Sequence, residues 1–215
     1  MNKTTSHTII KTLRSMIPNP VCELDYQNVF ELLCAVILSA QTTDKRVNTV
    51  TKELFAKFPD CDALENAPYE TVLEIIRPVG LAPSKARNLI RMAKQLKEEF
   101  SGIVPKTREE LERLPGVGRK TASVILAVGY QIPAMPVDTH LHRVAIRLGY
   151  APAVADVKQV EEQLCRYIPK EDWIEAHHLL LLFGRYHCKA IHPHCEDCRL
   201  KLYFRKKEQN NRNFF

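Results

Sequence analysis

Lys120 stands where a short glycine turn meets the start of a predicted helix, and an amine at such a place can do chemistry. The turn at residues 115–118 reads Pro-Gly-Val-Gly, and Arg119 and Lys120 follow it directly. A lysine attacks carbon as the neutral amine, and both the positive end of a helix dipole and the adjacent Arg119 disfavour the charged form. Lys120 is therefore our candidate nucleophile. The alternative is a lysine that contacts phosphate or stays solvated.

The turn itself is a candidate phosphate site. Residues 111–128 read LERLPGVGRKTASVILAV, which predicts two helices joined by the turn. Gly116 and Gly118 let the backbone bend sharply and approach another molecule, and the N–H groups that open the second helix point outward. This combination binds phosphate, so Gly116, Val117, Gly118 and Arg119 are candidate contacts. An ordinary helical corner is the alternative.

Asp138 is a candidate helix N-cap within chain reach of Lys120. It precedes Thr139-His140-Leu141, where an aspartate is typical of a helix N-cap. A capping carboxylate is held rigidly, so structural and catalytic roles are compatible. A helix of about ten residues carries the chain ~15 Å away from Lys120, and the return through residues 130–137 spans at most ~26 Å. Chain length therefore permits the two side chains to meet.

These motifs together resemble the helix–hairpin–helix DNA glycosylases, and specifically the endonuclease III family. The resemblance rests on LPGVGRKTA in the turn and on PVDTHLHRVAIRLG around Asp138, and it extends to ILSAQTTD at residues 37–44 and VGLAPSKARNL at residues 79–89. It covers nearly the whole chain. It implies an all-α protein of two lobes that binds DNA across the groove between them, with Lys120 and Asp138 facing each other at its mouth.

The resemblance also implies a base-excision-repair reaction. A damaged base, an oxidised pyrimidine for this family, is flipped out of double-stranded DNA, and Lys120 attacks the sugar carbon C1′ as the base leaves. Asp138 stabilises the positive charge that develops on the sugar and takes part in transfer of the lysine proton. A Schiff base then forms, and β-elimination breaks the strand at the abasic site. Two rivals remain: a monofunctional mismatch (adenine) glycosylase, and a DNA-binding module without catalysis.

Three further residues receive roles through the resemblance. Gln41 and Leu81 are expected to enter the duplex and fill the space that the flipped nucleotide leaves. A polar helix end and an ordinary buried leucine are the alternatives. His140 matches the family's VDTH motif and is expected to orient Asp138 or line the pocket for DNA, or else to be a structural histidine.

The family's chain end carries four cysteines, spaced C-x6-C-x2-C-x5-C, that bind a [4Fe–4S] cluster. Cys188, Cys195 and Cys198 keep this spacing, but Phe204 occupies the fourth position and cannot bind iron. A [4Fe–4S] or [3Fe–4S] cluster is the prediction. Solvent or one of three neighbouring side chains would complete the former, the three being Tyr203, His192 and His194. A zinc site with three cysteines and one histidine and a metal-free loop are the alternatives.

Two other groups complete the candidate residues. The remaining cysteines are expected to be buried small hydrophobes, namely Cys22, Cys34, Cys61 and Cys165. Basic residues around the cysteine loop form a candidate second phosphate patch or an ordinary solvated face, namely Lys189, Arg199, Lys201, Arg205, Lys206 and Lys207. The polar tail after Lys201 is expected to fray.

Helices must position these residues, because apolar residues recur at helical spacing and no alternating strand pattern appears. We expect about ten helices. The predictions include a helix nearly all apolar at residues 29–39, one ended by Pro59, one stopped at Gly102 and one at residues 173–186. Capping boxes are predicted at Thr107 with Glu110 and at Asp156 with Gln159. The expected lobes are residues 22–132 and residues 1–21 plus 133–215, the latter with a cysteine loop at 187–204.

The composition suits such a protein. The chain has 215 residues, 31 Lys and Arg against 25 Asp and Glu, and a net charge of +6. This mild excess permits binding to a polyanion without requiring it. No apolar stretch reaches the ~18 residues of a membrane span, and the start of the chain lacks an apolar signal region. We therefore expect a cytoplasmic protein, and the resemblance implies a monomer that acts on chromosomal DNA.

Overall fold

The computed structural model describes residues 1–204, which are built from helices and loops with no β-strand among them. The all-α prediction is confirmed. The α-helices of this part of the chain are α1 Lys3–Met16, α2 Val29–Ser39, α3 Asp44–Lys57, α4 Cys61–Glu65, α5 Tyr69–Ile76, α6 Ala82–Phe100, α7 Arg108–Glu112, α8 Arg119–Val124, α9 Thr139–Arg147, α10 Val157–Tyr167 and α11 Trp173–Leu182. Among these residues, no helix combines the length and apolar character that crossing a membrane requires.

The chain divides into two compact units. The central unit is Glu23–Ile132, and the terminal unit combines Met1–Cys22 with Pro133–Phe215. Helices α2–α8 belong to the central unit, whereas α1 and α9–α11 belong to the terminal unit. Two π-helical turns continue existing helices, Ile125–Gly129 after α8 and Phe183–His187 after α11.

Helix α2 is the centre of the central unit. Its side chains from Glu31 to Leu38 are all buried, and the helix contacts α3, α6 and α8. A helix that is apolar nearly all round gains stability by being covered on every side. The sequence prediction for residues 29–39 is therefore confirmed, and α2 provides the support on which the hairpin helices rest.

The predicted helix ends are largely confirmed. In α6, Ser101 and Gly102 both take left-handed backbone angles, and the Gly102 amide donates to the Leu96 carbonyl at 2.9 Å. This pattern is a common helix C-terminus, and it confirms the stop at Gly102. Helix α3 ends at Lys57, just before Pro59.

One of the two predicted capping boxes is complete. Asp156 and Gln159 exchange both side-chain-to-backbone hydrogen bonds at the start of α10. At α7 the Glu110 amide donates to the Thr107 hydroxyl, but that hydroxyl in turn donates to the Glu110 carboxylate at 2.6 Å. The structure shows only this half of the box at α7, where the Glu110 carboxylate accepts from the Thr107 hydroxyl.

Close helix contacts shape the terminal unit. The predicted helix over residues 173–186 widens after Leu182 into the π-helical turn Phe183–His187. Within that turn, a Cβ atom on Gly184 would lie 3.0 Å from the His140 carbonyl oxygen. Arg14 joins α1 to the start of α11 through Asp172 at 2.8 Å and Glu175 at 2.7 Å.

Candidate functional site

The hairpin between α7 and α8 is fixed by its own apolar residues. Its predicted apolar positions are all buried in the central unit, namely Leu111, Leu114, Val117, Ala122 and Ile125. The Val117 amide donates to the Leu114 carbonyl at 3.1 Å and closes the turn. Burial of these side chains therefore holds the turn in place without any ligand.

The two glycines of the turn have different reasons to be glycine. Gly116 has φ +83°, and a Cβ atom there would lie 3.2 Å from the Asn88 side chain and 3.3 Å from that of Ile37. Gly118 has φ −105°, and a Cβ atom there would meet no atom within 4 Å. Gly116 is thus required by the fold, whereas Gly118 leaves an open surface beside the helix start.

Lys120 lies in the first turn of α8, and its side chain is exposed. Gly118 is the N-cap residue and provides no side-chain cap. The first backbone hydrogen bond of the helix is donated by Ala122 to the Gly118 carbonyl at 2.9 Å, so the helix itself does not use the preceding amides. The hairpin thus brings Lys120 together with the predicted phosphate contacts at residues 116–119.

Asp138 is the N-cap of α9, as the sequence predicted. Its carboxylate is half-buried and accepts a hydrogen bond from the Leu141 amide at 2.8 Å. The preceding segment is anchored, because Val137 is buried and the Pro136 carbonyl lies 2.9 Å from the Nδ1 atom of His177. The backbone before and the helix after Asp138 therefore fix the direction of its carboxylate.

His140 lies in the first turn of α9 beside Arg143, with 3.4 Å between its Nδ1 atom and the guanidinium. Arg143 donates to the carbonyls of Gly184 at 2.8 Å and Cys188 at 3.2 Å. Burial, followed by the nearby charge of Arg147, lowers the pKa of Arg143. These contacts attach the start of α9 to the chain that leads into the cysteine loop.

Gln41 and Leu81 occupy neighbouring loop tips of the central unit. Both take left-handed backbone angles, with φ +54° and +60°, and both are exposed, Leu81 by 58%. The Gly80 amide donates to the Thr42 hydroxyl at 3.2 Å, and a Cβ atom on Gly80 would lie 3.1 Å from the Gln41 carbonyl oxygen. The alternative of a buried leucine at position 81 was therefore wrong.

Lys85 is a polar residue that the sequence analysis missed. Its side chain is 4% exposed, and its ammonium donates to the Leu38 carbonyl at 2.8 Å and the Ala40 carbonyl at 2.6 Å. Burial lowers the pKa of this ammonium. A signal was available, because Lys85 shares one face of α6 with Ala82 and Leu89, where an apolar residue is expected.

The cysteine loop is buried at two of its three thiols. Cys188 and Cys198 are buried and Cys195 is exposed. Burial raises the pKa of the Cys188 and Cys198 thiols, and the Arg147 guanidinium, 3.2 Å from the Cys188 sulfur, opposes this at Cys188. The thiol of Cys195 lies near enough to affect the pKa of both. Two of the three thiols are thus shielded from solvent, whereas the third faces it.

The fourth cluster position supplies no ligand. Phe204 is partly buried and packs against the apolar core of the terminal unit, as does Tyr203, whereas His192 and His194 are exposed. Across residues 1–204, no three or more His, Cys, Asp or Glu side chains are arranged as a metal-ion site. By residue type, the loop can supply at most three thiolates to a four-iron cluster, and in this structure they are not arranged as a metal site.

The other candidate residues have mixed outcomes. Cys34 and Cys61 are buried as predicted, whereas Cys22 and Cys165 are half-buried. In the basic patch, Lys189, Arg199 and Lys201 are exposed. Arg205, Lys206 and Lys207 lie outside the described residues, as does most of the tail that was expected to fray.

Comparison with known proteins adds relatives of nearly equal length. The model of the HhH-GPD superfamily of base excision DNA repair proteins matches residues 34–170. Endonuclease III of Bacillus subtilis (strain 168) is 45% identical, covering 92% of this chain and 90% of its own. Endonuclease III of Escherichia coli (strain K12) is 42% identical, covering 97% and 99%.

Comparison with solved structures finds proteins of the same kind. A trapped covalent intermediate of endonuclease III with DNA matches with a TM-score of 0.94 at 43% identity, covering 99% of this chain and 100% of that one. A non-covalent complex of endonuclease III with DNA matches with a TM-score of 0.95 at 42% identity. A thermostable thymine-DNA glycosylase, with a TM-score of 0.86 at 20% identity, shares the fold.

Proposed function

The chain belongs to the HhH-GPD superfamily of base excision DNA repair proteins and, within it, to the endonuclease III family, and from this premise we propose how its residues act. It is a DNA glycosylase and abasic-site lyase. The observation that carries the residue assignment is the exposed Lys120 in the first turn of α8, directly after the open surface at Gly118. Each further step of the reaction is assigned to residues whose exposure and contacts support it.

The hairpin binds the DNA backbone. The amides at the start of α8 and the positive end of its dipole attract a phosphate group, and Arg119 adds charge. Gly118 supports this role, because the space beside it is open and a phosphate can approach the backbone closely. Binding at this point delivers the sugar of the neighbouring nucleotide to Lys120.

Chemistry then proceeds through the amine of Lys120. The nitrogen forms a bond to C1′ of the flipped nucleotide while the bond from C1′ to the base breaks. The carboxylate of Asp138 stabilises the positive charge that develops on the sugar and accepts the lysine proton. The lone pair of the nitrogen then expels the ring oxygen O4′ from C1′, which opens the sugar and gives the protonated Schiff base, while O4′ takes up a proton. The Schiff base acidifies C2′, and loss of a C2′ proton expels the 3′ phosphate by β-elimination.

Gln41 and Leu81 are proposed to enter the duplex where the nucleotide has left. Their support is that both side chains stand exposed on adjacent loop tips. His140 is proposed to help form the nucleotide pocket beside Asp138. The proposed substrates are oxidised pyrimidines and abasic sites in double-stranded DNA, acted on by a monomer.

Cys188, Cys195 and Cys198 are proposed to hold an iron–sulfur cluster, either [4Fe–4S] with an outside ligand on its fourth iron or [3Fe–4S]. The spacing of the three cysteines and the membership of the endonuclease III family support binding of iron, while Phe204 leaves one corner to a weaker ligand. Such a cluster would cross-link the loop to the terminal unit. None of the catalytic steps above uses it.

Replacing Lys120 with alanine tests the function. We expect Lys120→Ala to abolish both base release and strand cleavage on duplex DNA containing an oxidised pyrimidine, because the sole proposed nucleophile is removed. Circular dichroism should show an unchanged fold, since the side chain is exposed. Lys94→Ala, which removes an exposed lysine from α6, should retain both activities.

The same assay separates the rivals. A monofunctional glycosylase would release the base and leave the strand intact in the wild-type protein. A DNA-binding module would do neither. Base release and cleavage by Lys120→Ala at the wild-type rate would mean that a different amine is the nucleophile.

A further inference from the structure

A buried lysine joins the two loop tips that carry Gln41 and Leu81. The ammonium of Lys85 donates to the Leu38 carbonyl at 2.8 Å and the Ala40 carbonyl at 2.6 Å. A third contact, at 3.2 Å, reaches the hydroxyl of Thr42. Residues 38–42 form the end of α2 and the loop that includes Gln41. The ammonium therefore bonds this segment through three hydrogen bonds.

The backbone of Lys85 holds the other tip. Its amide donates to the carbonyl of Leu81 at 3.1 Å, which starts helix α6. The Thr42 hydroxyl also accepts from the Gly80 amide at 3.2 Å. One residue is therefore bonded through its side chain to the loop of Gln41 and through its backbone to Leu81.

A positive charge suits this position even though burial penalises it. The Leu38 and Ala40 carbonyls lie at the C-terminal end of α2, where the last carbonyls of a helix lack intrahelical partners and carry the negative end of its dipole. The three hydrogen bonds compensate for the lost hydration of the ammonium. An apolar residue at position 85 would leave these carbonyls without the donor.

The two tips need such support because their backbones are unfavourable. Gln41 and Leu81 both take left-handed angles, which residues with a side chain adopt at an energetic cost and keep where surrounding contacts enforce them. The hydrogen bonds of Lys85 and Thr42 join the two tips. Without them, each tip can relax toward an ordinary conformation and the spacing between the tips changes.

We propose that Lys85 is a positioning residue that fixes the conformation and spacing of Gln41 and Leu81, and so determines how efficiently a paired nucleotide is extruded from the duplex. This inference rests on the proposed entry of the two tips into DNA. Lys85 itself does not touch the reacting atoms. Its loss should therefore affect opening of the base pair more than the chemistry that follows.

The test compares two DNA substrates. Single-turnover base release is measured on an oxidised pyrimidine in a fully paired duplex and on the same lesion in a three-nucleotide internal loop, where the pair is already open. For Lys85→Met we expect a loss of about 10-fold or more on the paired duplex and less than about 3-fold on the loop, because an unpaired base costs less to extrude. Equal losses on both substrates, or no loss on the paired one, would overturn the proposal.

A buried control excludes general destabilisation. Leu96→Ala removes a fully buried side chain far along the same helix, so it should lower both rates by the same factor. Lys97→Met, which removes an exposed lysine of α6, should leave both rates unchanged. A selective loss on the paired duplex in the Leu96 variant would mean that any weakening of α6 produces the effect.

Fluorescence of 2-aminopurine opposite the lesion measures extrusion without chemistry. A rise with the wild-type protein and a smaller rise with Lys85→Met support the inference even if no base is released, in which case the proposed function alone has failed. An equal rise with both proteins contradicts the inference while leaving the function intact.

A second pair of variants covers the case in which Lys85→Met does not fold. Thr42→Val keeps the lysine but removes the hydroxyl that bonds Lys85 and Gly80, and it should show the same selective loss at smaller size. Thr42→Ser retains the hydroxyl and should behave as wild type. Identical rates for the two Thr42 variants on the paired duplex would contradict the proposal.

Discussion

The two helices that carry the proposed catalytic residues begin in opposite ways. The N-cap residue of α8 is Gly118, which has no side chain to cap the helix, and a Cβ atom there would meet nothing within 4 Å. The N-cap residue of α9 is Asp138, whose own carboxylate accepts from the Leu141 amide at 2.8 Å. One helix start is open to a ligand, and the other is closed by its own residue.

The difference matches the charged group that we propose each helix start to bind or hold. An uncapped start offers amides and a positive dipole to an outside anion, which we propose to be a phosphate of the DNA backbone. A capped start uses its amides to hold a carboxylate still, which suits a group that must stabilise charge on a sugar. Buried apolar residues support both helices, and α9 is in addition attached through Arg143 to the carbonyl of Cys188.

Among the variants that test this comparison, substitution of Asp138 should cause the largest loss of base-release rate. Asp138→Asn keeps an oxygen for the cap but loses the charge, so we expect a rate of base release lower by roughly 10²-fold or more, the scale of one proton-transfer or electrostatic group. Asp138→Ala should show a similar rate loss and also lower the free energy of unfolding by about 1 kcal/mol, because the cap is lost.

Single-turnover rates across pH and chemical denaturation measure the two effects separately. Wild-type rates for Asp138→Asn at every pH would remove the carboxylate from the mechanism. A stability loss in Asp138→Asn equal to that in the alanine variant would instead show that the cap depends on the charge.

The open start of α8 can be closed by substitution. Gly118→Ser supplies an N-cap side chain that competes with the phosphate for the same amides, so affinity for duplex DNA should fall by about 10-fold, the scale of one hydrogen bond to a charged group. Stability should stay within a few tenths of a kcal/mol of wild type. Fluorescence anisotropy with a duplex that contains a stable abasic analogue measures the affinity.

Gly116→Ala is the matched control in the same turn. It places a side chain at φ +83° against Asn88 and Ile37, so we expect stability to fall by about 1–3 kcal/mol. Reduced stability for Gly118→Ser with unchanged DNA affinity would contradict the division of roles between the two glycines.

The cysteine loop gives the smallest expected effect on activity. Phe204→Cys restores the fourth thiol, so the iron content of anaerobically purified protein should rise toward about four per chain, and its colour should bleach more slowly in air. Phe204→Ala removes the ring without adding a thiol and should not raise the iron content. Base release should change little, because no catalytic step uses the cluster.

Iron and sulfide analysis with electron paramagnetic resonance measures this outcome. Colourless, iron-free wild-type protein with full glycosylase activity would favour the metal-free loop, with Phe204 filling the vacated space. In that case Phe204→Cys should leave the iron content unchanged.

The sequence predicted the parts of the site that local rules control. The hairpin followed from glycines and apolar spacing, and the Asp138 cap followed from residue type and position. The left-handed backbone angles of Gln41 and Leu81 could not be predicted from local sequence. They depend on Lys85, which is distant in sequence from the end of α2 to which it donates hydrogen bonds.

Other misses have the same origin in tertiary contacts. The apolar pattern at residues 173–186 continues without a break, so it cannot reveal the widening at Phe183–His187, where Gly184 packs against the His140 backbone. The burial of Lys85 could have been predicted, because a lysine on an apolar helix face needs hydrogen-bond partners for its ammonium.

The central claim is that the amine of Lys120 forms the covalent bond to DNA. Borohydride reduces a Schiff base to a stable amine, so the wild-type protein should form a permanent adduct with a duplex that contains an abasic site. Digestion and mass spectrometry should then locate the bound sugar on the peptide that contains Lys120. An adduct on another lysine or on the amino group of Met1 would contradict the account.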